Sequence, residues 1–234
     1  MKYYEMHEKV YRDLKEKGKL SWDSKDSYEE MWKHATNVYL HKFLSNPEFN
    51  ILSFLDLGTG SGTAALYFAK LGANVVGIDI SSSAIEMAKK NAESLDLSAI
   101  FAVGDITALE LNQKFDVVID STLLHCLIGD DRKSFYDVAK RHLKTGGHIF
   151  INTMIADETV HSRFSDKYFV FQDNILWSLG IDEIGERKEI DGKSYFPHRT
   201  LLSLEEQFEE FSQHDLKVIK SEALDGCLVA LLGL

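Results

Sequence analysis

Three glycines at alternate positions, Gly58, Gly60 and Gly62, stand between two aspartates, Asp56 and Asp79, that each close an apolar run. Those residue types in that order suit the capture of a nucleoside-type ligand. Glycine has no Cβ, so backbone there takes positive φ and lets a ligand come close. A carboxylate at the tip of a second strand, about 20 residues past the first glycine, can accept hydrogen bonds from both ribose hydroxyls. Two more acids follow apolar runs downstream: Asp105, in Gly104-Asp105-Ile106, and Asp120, in the segment FDVVIDSTLLHCLIGDDR. That segment sets His125 and Cys126 just beyond the run.

These residues need elements to hold them. Phe54-Leu55-Asp56-Leu57 and Val75-Val76-Gly77-Ile78 read as buried parallel strands, which are short and nearly continuous in apolar character. Ala65, Phe68 and Ala69 recur between them at helical spacing, giving a βαβ unit whose crossover is right-handed. Ser81 then caps a helix with Ile85, Ala88, Ala92 and Leu95 as its buried stripe. Further strands are expected at Ile100–Val103, Phe115–Ile119 and His148–Met154, with a helix carrying Phe135, Val138, Ala139 and His142 before the last. Gly146-Gly147 is read as the stop of that helix. Leu204, Phe208 and Phe211 mark a late helix, and Val218–Leu224 with Leu228–Leu232 form a hairpin around Asp225-Gly226.

Two decorations surround this core. Residues 1–48 form a helical cap, with Met6, Val10 and Leu14 on one helix and Tyr28, Met31, Trp32, Ala35, Tyr39 and Phe43 on a second. Pro47 separates the cap from the sheet. Between 155 and 203 the sheet pattern lapses in a stretch rich in aromatic and charged residues, too long for a structureless loop, and is read as an inserted lid over an acceptor. Pro197-His198-Arg199-Thr200 either lines that acceptor pocket or turns rigidly into the late helix. Trp22, Tyr28 and Trp32 are candidates to face the ligand.

The glycine pattern discriminates between cofactors. A dinucleotide fingerprint requires Gly-x-Gly-x-x-Gly, and Thr63 stands where its third glycine belongs. Asp-x-Gly-x-Gly-x-Gly, in register with strand, helix, second strand and Asp79, resembles motif I of the class I S-adenosylmethionine-dependent methyltransferases. The resemblance is good over residues 50–154 and moderate over the C-terminal hairpin. It implies an α/β fold: a seven-stranded, mostly parallel Rossmann-like sheet with an antiparallel C-terminal hairpin, N-terminal helices and the lid, all in one domain of 1–234. It also implies S-adenosylmethionine as cofactor. The backbone at Gly58 and Gly60 would then pass its amino-acid half, Asp56 would help hold that half directly or through water, Asp79 would bind its ribose, Ile80 would pack against its adenine ring and Ile106 would add a backbone contact. Asp105 would accept from the adenine amino group, and Asp120 with Ser121 would sit near the methionine part.

The implied reaction is an SN2 displacement that moves a methyl group to oxygen, nitrogen or sulfur of a small molecule. His125 is the candidate catalytic residue, since a neutral imidazole can take a proton from an acceptor hydroxyl, amine or thiol. The chemistry does not require a base, because alignment and desolvation suffice, so His125 can instead pack under the cofactor and donate one hydrogen bond. Cys126 is read as a small buried hydrophobe, and Arg132 as a solvated charge. Competing readings are a protein or nucleic-acid methyltransferase and a non-catalytic module that keeps the S-adenosylmethionine pocket.

Composition bounds the rest. A net charge of -11 over 234 residues opposes a nucleic-acid-binding surface. Two cysteines, Cys126 and Cys227, support neither a disulfide framework nor a metal knuckle, and the scattered histidines lack ligand spacing, so no metal is expected. No signal peptide and no run approaching the roughly 18 apolar residues of a membrane span is visible, so a cytoplasmic protein without membrane partners is expected. The oligomeric state is left open.

Overall fold

The computed structural model describes residues 6–45, 48–179 and 187–234. Pro47 lies outside these residues, as do 1–5 of the expected cap and 180–186 of the expected insertion. The chain runs α1 (Met6–Glu16), α2 (Tyr28–Met31), α3 (Ala35–Leu44), β1 (Ser53–Leu57), α4 (Thr63–Lys70), β2 (Asn74–Asp79) and α5 (Ser82–Ser94). It continues through β3 (Ile100–Val103), β4 (Phe115–Ser121), a 3-10 turn at Leu124–Cys126, α6 (Asp130–Arg141), β5 (Leu143–Met154) and α7 (Glu158–Arg163). Then come β6 (Phe169–Gln172), β7 (Ile175–Leu179), β8 (Lys188–Ile190), β9 (Lys193–Thr200), α8 (Leu204–Gln213), β10 (Lys217–Leu224) and β11 (Cys227–Gly233).

The main sheet has the order β10-β11-β5-β4-β1-β2-β3. β11 runs antiparallel to both its neighbours, and the other pairings are parallel. The chain proceeds outward from β1 to β2 and β3, then returns to place β4 on the other side of β1. That reversal is a topological switch point, where ligands bind outside the carboxyl ends of the strands.

Alternation along each strand divides two hydrophobic layers. Phe54, Val117, Ile119, Phe150, Val229 and Leu231 face the layer that also holds Phe43, Phe68 and Ile85 from α3, α4 and α5. Leu55, Leu57, Val118, Ile149, Leu228 and Ala230 face Phe135 of α6 and Phe211 of α8. Phe54 and Phe68 stack with centroids 4.8 Å apart and planes 11° from parallel. Each such fully buried side chain contributes about 1.5–3 kcal/mol, so both faces of the sheet anchor it.

Several expectations change. The single helix expected over Tyr28–Phe43 is two, because His34 starts a new one: its Nδ1 accepts from Thr36 N at 3.4 Å. Gly146 and Gly147 do not stop α6, which ends at Arg141; they lie inside a longer β5. The expected insertion is a second sheet, four-stranded in the order β6-β7-β9-β8 and antiparallel throughout. Pro197–Thr200 is therefore strand rather than turn.

Arg132 is also not a solvated charge: it is 5% exposed. Its Nε and Nη2 donate to the two oxygens of Glu210 at 2.8 and 2.7 Å, and Nη1 donates to the Leu124 carbonyl at 2.6 Å. Tyr136 Oη adds a 2.8 Å bond to Glu210. This network ties α6 to α8 and holds the turn that carries His125 and Cys126. Removing one partner leaves a buried charge alone, so Arg132→Ala should lower stability by about 3–5 kcal/mol. Urea unfolding of the variant checks this; a loss below about 1 kcal/mol would place the pair among weak surface bridges.

Candidate functional site

The carboxylate of Asp79 stands at the carboxyl end of β2, buried. Its Oδ2 accepts from Gly60 N and its Oδ1 from Ser81 N, both at 2.8 Å. Strand β2, the glycine loop after β1 and the start of α5 are thereby fixed together. Burial raises the Asp79 carboxyl above its ordinary pKa, opposed by the Ser81 and Gly60 amides and by His7. Gly58, Gly60 and Gly62 all have positive φ, at 68°, 55° and 86°. Gly60 has a second reason to be glycine: a Cβ there would lie 2.2 Å from Tyr11 Oη, which descends from α1.

A cavity of about 390 Å³ lies over the switch point. Gly58, Gly60, Asp79 and Ile80 line it from β1 and β2, and Asp105 and Ile106 from the segment after β3. Ser121 and His125 line it from β4 and the turn that follows. Asp105 Oδ1 accepts from Thr107 N at 2.9 Å and Thr107 Oγ1 at 2.6 Å. Its volume falls in the range that holds small ligands and cofactors.

Two expected residues stand behind the wall instead. Asp56 is fully buried and does not line the cavity; its Oδ2 accepts from Thr59 Oγ1 at 2.7 Å, and Thr59 is the residue that lines it. Asp120 is equally buried, and its Oδ1 accepts from Leu123 N at 2.6 Å and Leu124 N at 3.2 Å. Neither carboxylate lines the cavity; each instead positions residues that do, Thr59 and Leu123. Burial pushes Asp56 up to about 7 and Asp120 up to about 8.

His125 is 4% exposed. Its Nδ1 accepts from Met154 N at 3.2 Å, so in the neutral ring Nε2 carries the hydrogen. Burial lowers its pKa, which keeps the ring neutral. The nitrogen that Met154 leaves over is already protonated, so the geometry suits a hydrogen-bond donor and not the expected base. Cys126 departs further from expectation. It lines the cavity half-buried, and Arg199 Nη1 donates to its Sγ at 3.0 Å. Burial would raise this thiol, but His125, Arg199 and hydrogen bonding from His125 and His7 hold it well below the ordinary value. It is a partnered polar group of the wall rather than a packed hydrophobe, with Thr122 O also 3.8 Å from its Sγ.

The cap and the insertion supply residues that sequence patterning missed. His7 and Tyr11 of α1 line the cavity, as do Arg163 and Phe164 of the inserted segment; Arg199 lines it too, as one of the two readings of Pro197–Thr200 expected. Of the three aromatic candidates only Trp22 lines it, with its ring 5.2 Å from that of Tyr11. Tyr28 Oη instead donates to Asn91 at 3.2 Å, and the Trp32 ring carries Lys70 Nζ 3.7 Å from its centroid. Glu8 docks α1 by accepting from Ser81 Oγ at 2.7 Å and Ser83 Oγ at 2.6 Å. Among the described residues no three His, Cys, Asp or Glu side chains group to hold a metal ion. No helix among them is long and apolar enough to cross a membrane.

Residues 49–190, more than half of the chain, match the family described as a methyltransferase domain. The chain belongs to that family. This methyltransferase-family chain is 30% identical over 126 residues to ribosomal protein L11 methyltransferase of Dictyoglomus turgidum, covering 53% of this chain and 40% of that protein. It is 33% identical over 107 residues to the ubiquinone biosynthesis O-methyltransferase of Bartonella quintana, covering 45% and 42% respectively. It thus spans less than half the length of these curated relatives. The fold is shared with 1,6-didemethyltoxoflavin-N1-methyltransferase of Burkholderia thailandensis, solved with 1,6-didemethyltoxoflavin and S-adenosylhomocysteine bound. That likeness has a TM-score of 0.63 at 16% identity, over 96% of this chain and 83% of that one.

The buried acids give a pH signature. A carboxyl whose folded pKa is raised contributes stability that is complete below its unfolded pKa and is lost as pH rises through the folded one. Stability should therefore fall from about pH 4 to about 8, the folded pKa of Asp120. Asp120→Asn cannot ionise and should flatten that slope in urea unfolding series; an unchanged slope would mean that Asp120 is charged in the fold.

Proposed function

We propose that this chain transfers a methyl group from S-adenosylmethionine to a small molecule. The observation that carries the reading is the junction of Asp79, Gly60 and Ser81 on the rim of one cavity at the switch point. The site fits such a cofactor: each Asp79 oxygen spends one lone pair on a backbone amide and keeps capacity for a ribose hydroxyl. When bound, S-adenosylmethionine supplies an electrophilic methyl on a sulfonium.

The chain's own residues divide the remaining work. Gly58 and Gly60 offer bare backbone to the amino-acid half, and Ser121 borders the methionine part. Ile80 and Ile106 flank the adenine, with Asp105 accepting from its amino group. Asp56 and Asp120 act one layer out, by fixing Thr59 and Leu123. His125 holds Cys126 in the wall by hydrogen bonding, while α1 and the insertion supply the remaining lining around the acceptor. The stretch 155–203 is assigned as the acceptor cover because Arg163, Phe164 and Arg199 line the cavity. All of this sits in a single domain.

Two features favour a small acceptor. The cavity's lining draws on α1 and the inserted segment as well as the sheet, and its volume of about 390 Å³ is of small-molecule size. A net charge of -11 disfavours nucleic acid. The name of the ubiquinone relative agrees with a small acceptor, whereas that of the L11 relative points to a protein; a cavity of that size weighs toward the former.

Calorimetric titration with S-adenosylmethionine, S-adenosylhomocysteine and NAD tests the cofactor assignment. Binding of the first two and not of NAD is expected; NAD binding alone, or none, defeats it. Asp79→Ala should weaken S-adenosylhomocysteine binding by about 1.5–3 kcal/mol, the contribution of hydrogen bonds to a charged group. Equal affinity in a folded variant would remove Asp79 from the site.

A further inference from the structure

The cavity is electrically lopsided. Two of its acids, Asp79 and Asp105, lie on the β2 and β3 side and are engaged by backbone and hydroxyl donors; the third, Asp23 of the cap, accepts from Ser21 Oγ and pairs with Lys25 at 3.6 Å. The opposite wall carries two guanidinium groups, Arg163 and Arg199, and neither forms an ion pair with a carboxylate among the described residues. Arg163 is exposed at its position in the wall. Arg199 is half-buried, and among the described residues its single hydrogen bond runs from Nη1 to Cys126 Sγ at 3.0 Å.

A guanidinium has five N–H donors arranged to match a carboxylate or phosphate. One sulfur satisfies one of them. Arg199 Nε is buried with no partner among the described residues. A buried donor on a cation without an acceptor is costly, and the cost is relieved if a ligand brings the acceptor. Other cations stand nearby: His7, whose pKa burial would lower but Cys126 raises, is drawn toward its charged form. His198, by contrast, is pushed down to about 4 by burial and by Arg199, and stays neutral. The negative groups facing this wall are the Cys126 sulfur and, farther off, Asp79.

We propose that this wall is an anion subsite, anchored by Arg199 with Arg163 at its side, and that the methyl acceptor is a small molecule bearing a carboxylate or phosphoryl group. The inference rests on the methyl-transfer reading for the word acceptor, but not for the subsite. Arg199 sets specificity and orients the acceptor through its anionic group, leaving the reacting atom free to face the methyl donor. Arg199→Lys is then not conservative, since a point charge replaces a planar fork.

Cys126 provides the probe. Its thiolate displaces iodide from iodoacetate or iodoacetamide: an S–C bond forms, the C–I bond breaks and iodide leaves. Both reagents react through the same thiolate, so their rate ratio does not depend on the thiol pKa and reads only the charge preference of the pocket. With glutathione as reference, Cys126 of the intact chain should favour the anionic reagent by about tenfold, the equivalent of one charge-assisted hydrogen bond. Its rate should saturate with iodoacetate concentration, and mass spectrometry should locate the adduct at Cys126. Arg199→Gln should abolish the preference. Should that variant fail to fold, protection of the unmodified protein by malonate or by inorganic phosphate decides the question: protection by the first favours a carboxylate acceptor, by the second a phosphoryl one. A ratio equal to that of glutathione, with neither anion protecting, overturns the proposal. S-adenosylhomocysteine binding is measured on the same samples. Its absence beside an intact anion preference would sink the methyl-transfer reading and spare the subsite; its presence without that preference would do the reverse.

Discussion

A carboxylate removed from water must find hydrogen-bond donors, and Asp79 finds two in the backbone amides of Gly60 and Ser81. Much follows from that demand. The two amides belong to different connections, one leaving β1 and the other leaving β2, so satisfying a single side chain sets their separation. The glycine loop can meet Asp79 only by taking positive φ, and α5 can begin only where Ser81 has been placed. Glu8 then docks α1 on the serines at the start of that helix, which brings Tyr11 over the loop. Floor, rim and roof of the cavity are thus built outward from one ionisable group.

The other side of the cavity obeys a similar rule with different chemistry. Asp120 gathers the amides of Leu123 and Leu124, and Arg132 takes the Leu124 carbonyl. The turn bearing His125 and Cys126 is thus held at its start, and Glu210 on α8 fixes Arg132 in return. Met154 N completes the arrangement by choosing the tautomer of His125. With Nδ1 accepting from Met154, the hydrogen of the neutral ring sits on Nε2.

The parts legible in the sequence were those encoded by neighbours. The first βαβ unit, the acids at the strand tips and the C-terminal hairpin all came from period and turn chemistry within about 30 residues. What was not legible depended on distant partners. Arg132 looked solvated because Glu210, far along the chain on α8, gave no local sign of meeting it. Cys126 looked inert because Arg199 reaches it only after the insertion folds into a sheet. That sheet escaped notice because its strands are short and partly exposed, so none shows a clear buried face. Asp56 and Asp120 were placed on the right strands, but that both stand behind the cavity wall was not legible, since a strand's end names an edge and not which side of the wall its side chain takes.

Gly60 answers to two masters. Its φ of 55° asks for glycine on backbone grounds, and Tyr11 Oη asks again on grounds of space. The first demand is local and would be softened by asparagine or aspartate, which tolerate that conformation. The second comes from the cap, and no change at position 60 relieves it. A side chain at position 60 therefore needs the tip of Tyr11 to swing aside, so a shorter residue at position 11 should make the loop beneath the cap more tolerant of substitution.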